Sequence, residues 1–345
     1  MAIERRKRAE EAVDVLPAAA DDQADITLRP SSLEEYIGQS DIKAHLTVYL
    51  QAAKKRSEPL GHTILHGPPG LGKTTLAFIL AKEMGAQVRV TSGPAIEKAG
   101  DLASLLTNLQ AGDILFIDEI HRLRPAIEEV LYSAMEDYAL DLVIGKGPSA
   151  RSMRIDLQPF TLVGATTKAG AVSMPLRDRF IHNFKLSFYT PAEVCKIVQR
   201  TAGILSLPID STAADLVARA ARATPRIANR LVRSIRDFAQ VNDEGTVSAA
   251  RVKSTLQLLG IDDKGLDSTD RLILLTIAEK FGGGPVGLGS LAAALSEEEE
   301  TLEDVYEPYL IQCGYLQRTP KGRAATKLAY ELLGMKMPEG NQTLF

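Results

Sequence analysis

The segment Gly67-Pro68-Pro69-Gly70-Leu71-Gly72-Lys73-Thr74 constrains this chain more than any other feature. It fits the spacing G-x-x-x-x-G-K-[ST], and its flanks agree with that reading. The run Thr63–His66 reads as a strand before it, and Lys73–Met84 reads as a helix after it, stopped by Gly85. Glycines such as Gly70 and Gly72 let backbone N–H groups turn inward around phosphate oxygens, and the helix N-terminus adds its dipole. Lys73 then reaches the β- and γ-phosphates, and the Thr74 hydroxyl is placed to ligate Mg²⁺. A strand, a phosphate loop and a helix in succession demand an α/β structure.

The surrounding texture extends it. Gln87–Thr91, Ile114–Ile117, Thr161–Gly164 and Phe184–Phe188 read as further short strands separated by helical patterns. That alternation predicts a parallel sheet with helices on both faces, whose strands are apolar throughout. Residues 140–157 break the rhythm: two apolar runs flank Gly145-Lys146-Gly147-Pro148-Ser149, as in a hairpin inserted between sheet strands. At 345 residues the chain suits two or three domains of roughly 100–200 residues each. Residues 1–25 read as a tail, 26–190 as the sheet domain, 191–262 as a helical domain, 263–334 as a third unit and 335–345 as a second tail. Within residues 27–60, Leu46, Val48, Tyr49 and Leu50 supply apolar surface. Glu297–Glu300, a run of four acids, reads as a solvated helix start.

The strand Ile114–Ile117 ends in Asp118-Glu119. Burying two carboxylates is costly unless something compensates. A magnesium shell held by Asp118 and an attacking water polarised by Glu119 supply the compensation, so the chain reads as an ATP- or GTP-hydrolysing protein. Hydrolysis also needs positive charge on the γ-phosphate. Pro175-Leu176-Arg177-Asp178-Arg179-Phe180 follows the fourth strand, away from its own phosphate loop, and an arginine there suits a neighbouring subunit's nucleotide. Arg226 follows Pro225 in a first helical turn and is singled out from Arg219, Arg222, Arg230, Arg233 and Arg236, which read as solvated or ion-paired.

Composition excludes some classes. A net charge of −4 gives no global basic footprint, so any nucleic-acid contact must be a local patch. The N-terminal Arg5-Arg6-Lys7-Arg8 lacks an apolar h-region after it, and nearby acids argue against a transit peptide. No apolar stretch approaches the roughly 18–20 residues of a spanning helix. Cys195 and Cys313 read as reduced, buried thiols, which fits a cytoplasmic location.

These motifs resemble the AAA+ ATPases, and within them the RuvB family of Holliday junction branch-migration motors. The likeness rests on Leu28-Arg29-Pro30, Tyr36-Ile37-Gly38-Gln39, Gly67–Thr75, Thr91–Ile96, Phe116–Leu123, Gly164–Thr167, the hairpin Ile144–Ser152, Phe281–Leu288 and Glu303–Leu310. The resemblance implies a P-loop sheet domain, a helical lid and a C-terminal winged helix. It implies that Leu28, Arg29, Tyr36 and Ile37 border the adenine with Tyr189 and Pro191, and that Thr75 joins the phosphate site. Thr166 or Thr167, with Thr167 preferred, senses the γ-phosphate. Glu136, Asp137 and Tyr138 lie near nucleotide, Arg179 is the trans finger and Arg226 the second sensor. It places a docking surface for RuvA on Val143, Ile144, Met153 and Ile155.

The resemblance further implies hexameric rings on duplex arms of a Holliday junction, with ATP and Mg²⁺ as ligands and RuvC as a later nuclease partner. Two departures stand out: Ile181 where the family has a glycine after the phenylalanine, and Ser296 in place of a Gly-Glu start. In the winged helix, Tyr315–Arg318 reads as a wing strand. Arg318, Lys321, Arg323 and Lys327 cluster without an intervening acid and suit phosphate contact. The resemblance puts Arg318 and Arg323 on DNA. A clamp loader would lack this hairpin and winged helix, and a protein unfoldase would need an aromatic pore loop that is not found. The DExH spelling of Asp118–His121 lacks the other motifs of that helicase class, which leaves His121 to local packing or sensing.

Overall fold

In the computed structural model the described residues are 27–144, 151–242 and 245–338. They fall into two units, one drawn from the chain up to Gly67 and Leu71–Ser187, the other from Pro68–Gly70 and Phe188 onward.

The first unit is built on five parallel strands: β1 (Thr63–His66), β2 (Val88–Ser92), β3 (Ile114–Asp118), β6 (Thr161–Thr166) and β7 (His182–Lys185). Their order is β2-β3-β6-β1-β7. All of Ile114–Ile117 and all of Thr161–Thr166 are buried, as central strands covered on both faces require. Leu115, Ile117, Phe160 and Leu162 pack with Leu131 and Leu140 in one core. The last strand lies earlier than expected. The alternation at Phe184, Leu186 and Phe188 suggests 184–188, yet β7 pairs with β1 from His182, and His182 stacks on Tyr49 with ring centroids 4.1 Å apart.

The expected hairpin forms from β4 (Ala139–Ile144) and β5 (Arg151–Asp156). Its turn, 145–150, lies outside the described residues.

Helix α1 (Ser40–Arg56) buries Ile42, Leu46, Leu50 and Ala53, a stripe at helical spacing. Val48 is 61% exposed, off that stripe, and does not add to the buried surface as the sequence suggested. Helix α2 (Lys73–Met84) ends at Gly85 with φ 68°, and the Gly85 and Ala86 N–H groups donate to Lys82 O and Ala81 O. Helices α3 (Ala99–Thr107), α4 (Pro125–Glu136) and α5 (Met174–Asp178) complete this unit.

The second unit opens with α6 (Pro191–Ile204), α7 (Ser211–Ala220), α8 (Pro225–Val241) and α9 (Ala249–Leu258). Thr190 and Glu193 form a reciprocal cap at the start of α6, with proline in its first turn. Then come α10 (Ser268–Lys280), α11 (Leu288–Leu295), a helical stretch at 299–312 containing a π-turn at Leu302–Tyr306, the wing strands β8 (Leu316–Thr319) and β9 (Gly322–Ala325), and α12 (Lys327–Leu333). The wing is thus an antiparallel pair rather than a single strand. Glu297–Glu300 is exposed, as expected for a solvated helix start. Ser296 caps α11 in the left-handed region at φ 56°, a conformation that favours glycine.

Cys195 and Cys313 are free and half-buried rather than fully buried, and burial pushes the Cys195 thiol up to about 11.

One buried ion pair joins the helical and winged-helix parts of this unit. Arg222 donates to both carboxylate oxygens of Asp270 at 3.1 Å, and its guanidinium lies 4.8 Å from the centre of the Tyr309 ring. Asp270 is completely buried, and it also accepts the Asp267 N–H at 3.0 Å. Burial pushes its carboxyl up to about 6 against the pull of Arg222. The sequence reads Arg222 as solvated or ion-paired; it is ion-paired, and only 9% exposed. Removing one member strands the other charge, at about 3–5 kcal/mol. Asp270→Ala is therefore expected to lower the unfolding free energy by that amount in urea titrations. The double change Arg222→Met with Asp270→Leu should cost less than Asp270→Ala alone. A single change costing no more than a surface substitution would show that the pair is not a structural tie.

Candidate functional site

The carboxyl ends of the strands converge on one edge of the sheet. The registers align His66 with Thr166 and Ser92 with Asp118, and Ile117 faces Gly164. The phosphate loop leaves β1 there, the acid pair ends β3 there, and β6 runs between them. Ligands of open α/β sheets bind outside this edge.

The loop's glycines are used for space. Gly67 has φ 142°, and a Cβ there would sit 2.5 Å from Leu186 O; at Gly72 (φ 95°) it would sit 2.9 Å from Tyr36 Oη. Only glycine fits such approaches. The Gly67 N–H donates to Thr166 O at 3.2 Å, tying the loop to β6. Lys73 Nζ donates to Gly67 O at 2.7 Å and is 8% exposed. Burial pulls its pKa down, while Asp118 and Glu119 pull it back up. The ammonium is thus desolvated but compensated, and aimed into the loop.

Asp118 Oδ1 accepts the Glu119 N–H at 2.9 Å. Glu119 sits in the left-handed region at φ 50°, its carbonyl accepting from Arg122 N–H at 2.8 Å. Left-handed non-glycine residues carry strain that a functional position can justify. The hydroxyl of Thr74 and the carboxylate of Asp118 are hard oxygen donors of the kind magnesium takes, alongside phosphate oxygens and water. Among the described residues no group of three or more His, Cys, Asp or Glu side chains could hold a metal, so such an ion would depend on the nucleotide for the rest of its shell.

Segment 28–37 packs on the phosphate loop and α2. Leu28 and Tyr36 are buried, Ile37 is half-buried, the Tyr36 hydroxyl donates to Leu71 O, and the Arg29 guanidinium lies 5.3 Å from the centre of the Phe78 ring. Thr75 follows Thr74 in the first turn of α2. In the second unit the Tyr189 N–H donates to Ala223 O at 3.0 Å. The N–H of Arg226 donates to Gly70 O at 3.4 Å in the same unit. Thr224 caps α8, and its side chain is buried.

The sensor threonines differ. Thr166 is fully buried, with its hydroxyl 2.9 Å from His121 Nδ1 and accepting the Lys168 N–H at 3.0 Å. Thr167 is half-buried.

Arg179 lies just past α5 and is held by α4. Its guanidinium lies 4.2 Å from the centre of the Tyr132 ring, and it pairs with Glu136 at 3.1 Å. Nη1 donates to Pro175 O at 2.7 Å, and the buried Nε has no hydrogen-bond partner. Glu128, four residues before Tyr132, accepts from Tyr132 Oη and Ser173 Oγ, and Ser173 caps α5. Of the trio expected near nucleotide, Glu136 thus meets Arg179. Asp137 meets Arg154 at 3.0 Å, and Tyr138 packs edge-on against Phe160. Ile181 is 73% exposed and outside the left-handed region, so the missing glycine costs nothing there.

On the hairpin, Met153 is 42% exposed, but Ile155 is half-buried against the sheet core and is not free apolar surface. The side chains of Val143 and Ile144 lie outside the described residues. In the wing, an acid does intervene. Glu307, 2% exposed, accepts from both Arg318 and Arg323, and Glu303 lies 3.3 Å from Arg318 and 3.7 Å from Arg323. The Arg323 side chain is 13% exposed, that of Arg318 48%, and Lys321 is exposed. Sequence distance hid this cluster, because the acids lie 11–20 residues from the arginines.

Family models match nearly the whole described chain. They are the Holliday junction DNA helicase RuvB P-loop domain at residues 28–186, the RuvB AAA lid domain at 189–262 and the RuvB C-terminal winged helix domain at 263–334. Among solved structures, the Thermotoga maritima RuvB Holliday junction branch migration motor is 50% identical, with a TM-score of 0.84, over 90% of this chain and 100% of that one. An arginine-to-alanine variant of it gives 50% identity and a TM-score of 0.83, over 90% and 99%. The chain belongs to the RuvB family of Holliday junction DNA helicases, with a AAA+ P-loop ATPase domain, a lid and a winged helix.

Proposed function

We propose that this chain hydrolyses ATP with Mg²⁺ to drive branch migration of Holliday junctions, as a hexameric ring on duplex DNA acting with RuvA, in the cytoplasm. The observation that carries it is the convergence of Lys73, Asp118 and Glu119 at one edge of the sheet, in a chain that also has a winged helix. Magnesium held by Thr74 and Asp118 would neutralise phosphate charge. Lys73 binds the β- and γ-phosphates, releasing the Gly67 carbonyl. Glu119 orients water. Thr167 senses the γ-phosphate, since the Thr166 hydroxyl is already engaged. Arg226, whose backbone reaches the loop at Gly70, acts as the second sensor. Leu28, Arg29, Tyr36, Ile37 and Tyr189 border the base.

Arg179 serves a neighbour's nucleotide. Its contacts described above are with α4 and its own helix, and Glu136, Asp137 and Tyr138 belong to that same side. Subunits that each lend a group to the next are arranged head to tail, and such contacts close into rings. The hairpin that carries Val143, Ile144, Met153 and Ile155 docks RuvA, with Met153, 42% exposed, as its apolar contact. RuvC cuts the junction afterwards. Arg318 and Lys321 face the phosphates, while Arg323 anchors the wing on Glu307. Sequence-independent backbone contact suits a motor that must pass any sequence. Among the described residues no helix is long and apolar enough to cross a membrane.

Two measurements test this reading. Arg179→Ala and Glu119→Gln subunits should each hydrolyse ATP poorly, and mixing them at constant total concentration should restore part of the turnover. A mixture no faster than either component removes the trans role. Arg318→Ala should weaken duplex binding at low salt and reduce the slope of log affinity against log salt by about 0.9, the share of one phosphate contact. An unchanged slope takes Arg318 off the DNA.

A further inference from the structure

His121 is a buried polar side chain placed between two parts of the hydrolytic site. Its side chain is 7% exposed. Nδ1 lies 2.9 Å from Thr166 Oγ1, at the end of the sensor strand, and Nε2 lies 3.5 Å from Glu119 Oε2. The 2.9 Å contact is a hydrogen bond, and the 3.5 Å one is an ion-pair distance that a small carboxylate shift closes.

One proton arrangement links all three groups. Thr166 Oγ1 already accepts the Lys168 N–H at 3.0 Å. A hydroxyl has one proton to give, and donating it to Nδ1 leaves the imidazole proton on Nε2. That proton points at the Glu119 carboxylate. Every donor then has an acceptor, running Lys168 N–H to Thr166 Oγ1, Thr166 O–H to His121 Nδ1 and His121 Nε2–H to Glu119.

The surroundings hold both ends still. Gly93 leaves room for the Glu119 carbonyl, since a Cβ there would collide with that oxygen. Gly164, beside β3, admits Ile120 in the same way, because a Cβ would lie 2.9 Å from its Cδ1. The turn Ile120–Arg122 is thus seated on β6, and Thr166 is fully buried at the end of that strand. With the backbone fixed, the Glu119 carboxylate, about a third exposed, is the mobile partner.

We propose that His121 is a positioning residue that couples the sensor strand to the Glu119 carboxylate. A change at Thr166–Thr167 when the γ-phosphate is present or lost then reaches the group that orients the attacking water. The inference rests on the reading of Glu119 given above. It assigns His121 no contact with nucleotide.

The test measures steady-state ATP turnover and binding of a fluorescent ADP analogue for full-length His121→Ala, His121→Gln, Glu119→Gln and the double variant His121→Ala with Glu119→Gln. His121→Ala should lower kcat about 10–100-fold, the usual scale for loss of an orienting partner, with KM for ATP and analogue affinity changed less than about twofold. His121→Gln, which can accept from Thr166 and donate to Glu119, should recover part of kcat. On the Glu119→Gln background, His121→Ala should cause no further loss, because it acts through that carboxylate. An unchanged kcat in His121→Ala overturns the coupling, as does a full additional loss in the double variant. Loss of analogue affinity in step with turnover reduces His121 to packing. If Glu119→Gln itself turns over normally, the reading of Glu119 fails and the coupling fails with it.

Discussion

The placement of β6 between β1 and β3 is the constraint on which the rest of the nucleotide site depends. Were β1 and β3 direct neighbours, the phosphate loop and the acid pair would sit one strand spacing apart, with no element between them. With β6 inserted, Thr166 is paired in register with His66 and its carbonyl receives the first N–H of the loop. On its other side β6 pairs with β3 up to Gly164, just before the acids. One fully buried strand therefore sets the distance between the phosphate loop and the Asp118-Glu119 pair. Burial on both faces gives the strand no freedom to slip, because a one-residue shift would turn every side chain to the wrong face.

Around this frame, four buried polar side chains each position something. Lys73 on Gly67 O, Glu128 beneath the cap of α5, Asp270 against Arg222 and Glu307 between two arginines are all nearly or fully enclosed. None is an economical way to gain stability, since apolar residues of similar volume do as well or better. What each provides is a fixed direction. Glu307 shows it most simply. A wing of two short strands cannot hold two long arginines rigid by itself, and one buried carboxylate accepting from both fixes where the remaining donors point.

Much of this was legible in the sequence where the chemistry is local. The phosphate loop, the strand ending in Asp118-Glu119, the hairpin and the caps of α6 and α8 involve residues within a few positions of one another, and pattern alone finds them. The failures have the opposite character. Arg222 reads like the other arginines at its helical spacing, solvated or ion-paired, and only Asp270, 48 residues away, decides between the two. Glu303 and Glu307 look like surface acids until the wing folds back on them. The resemblance puts Ile155 on an exposed docking surface, and it is half-buried because the hairpin's base lies on the core. β7 was placed two residues late because the apolar alternation continues past the strand, while the pairing with β1 begins at polar His182. Such features depend on tertiary partners, which a single sequence does not display.

The same comparison of magnitudes decides how Arg179 is kept. Its salt bridge is to Glu136, whose side chain is 58% exposed. An exposed pair of this kind is worth roughly 0–1 kcal/mol. Contact with the face of Tyr132 adds about 0.5–2 kcal/mol. Both orient the guanidinium, and neither locks it. A γ-phosphate presented by an adjacent subunit offers more charge than Glu136 and acceptor geometry that matches the arginine fork. Exchange from carboxylate to phosphate would then cost little, and Tyr132 can remain beneath the guanidinium as it moves. A deeper pair, such as that of Arg222 with Asp270, would resist that exchange by several kcal/mol. The two arginines carry the same side chain, and the exposure of the partner carboxylate makes one pair a buried tie and the other an exchangeable contact.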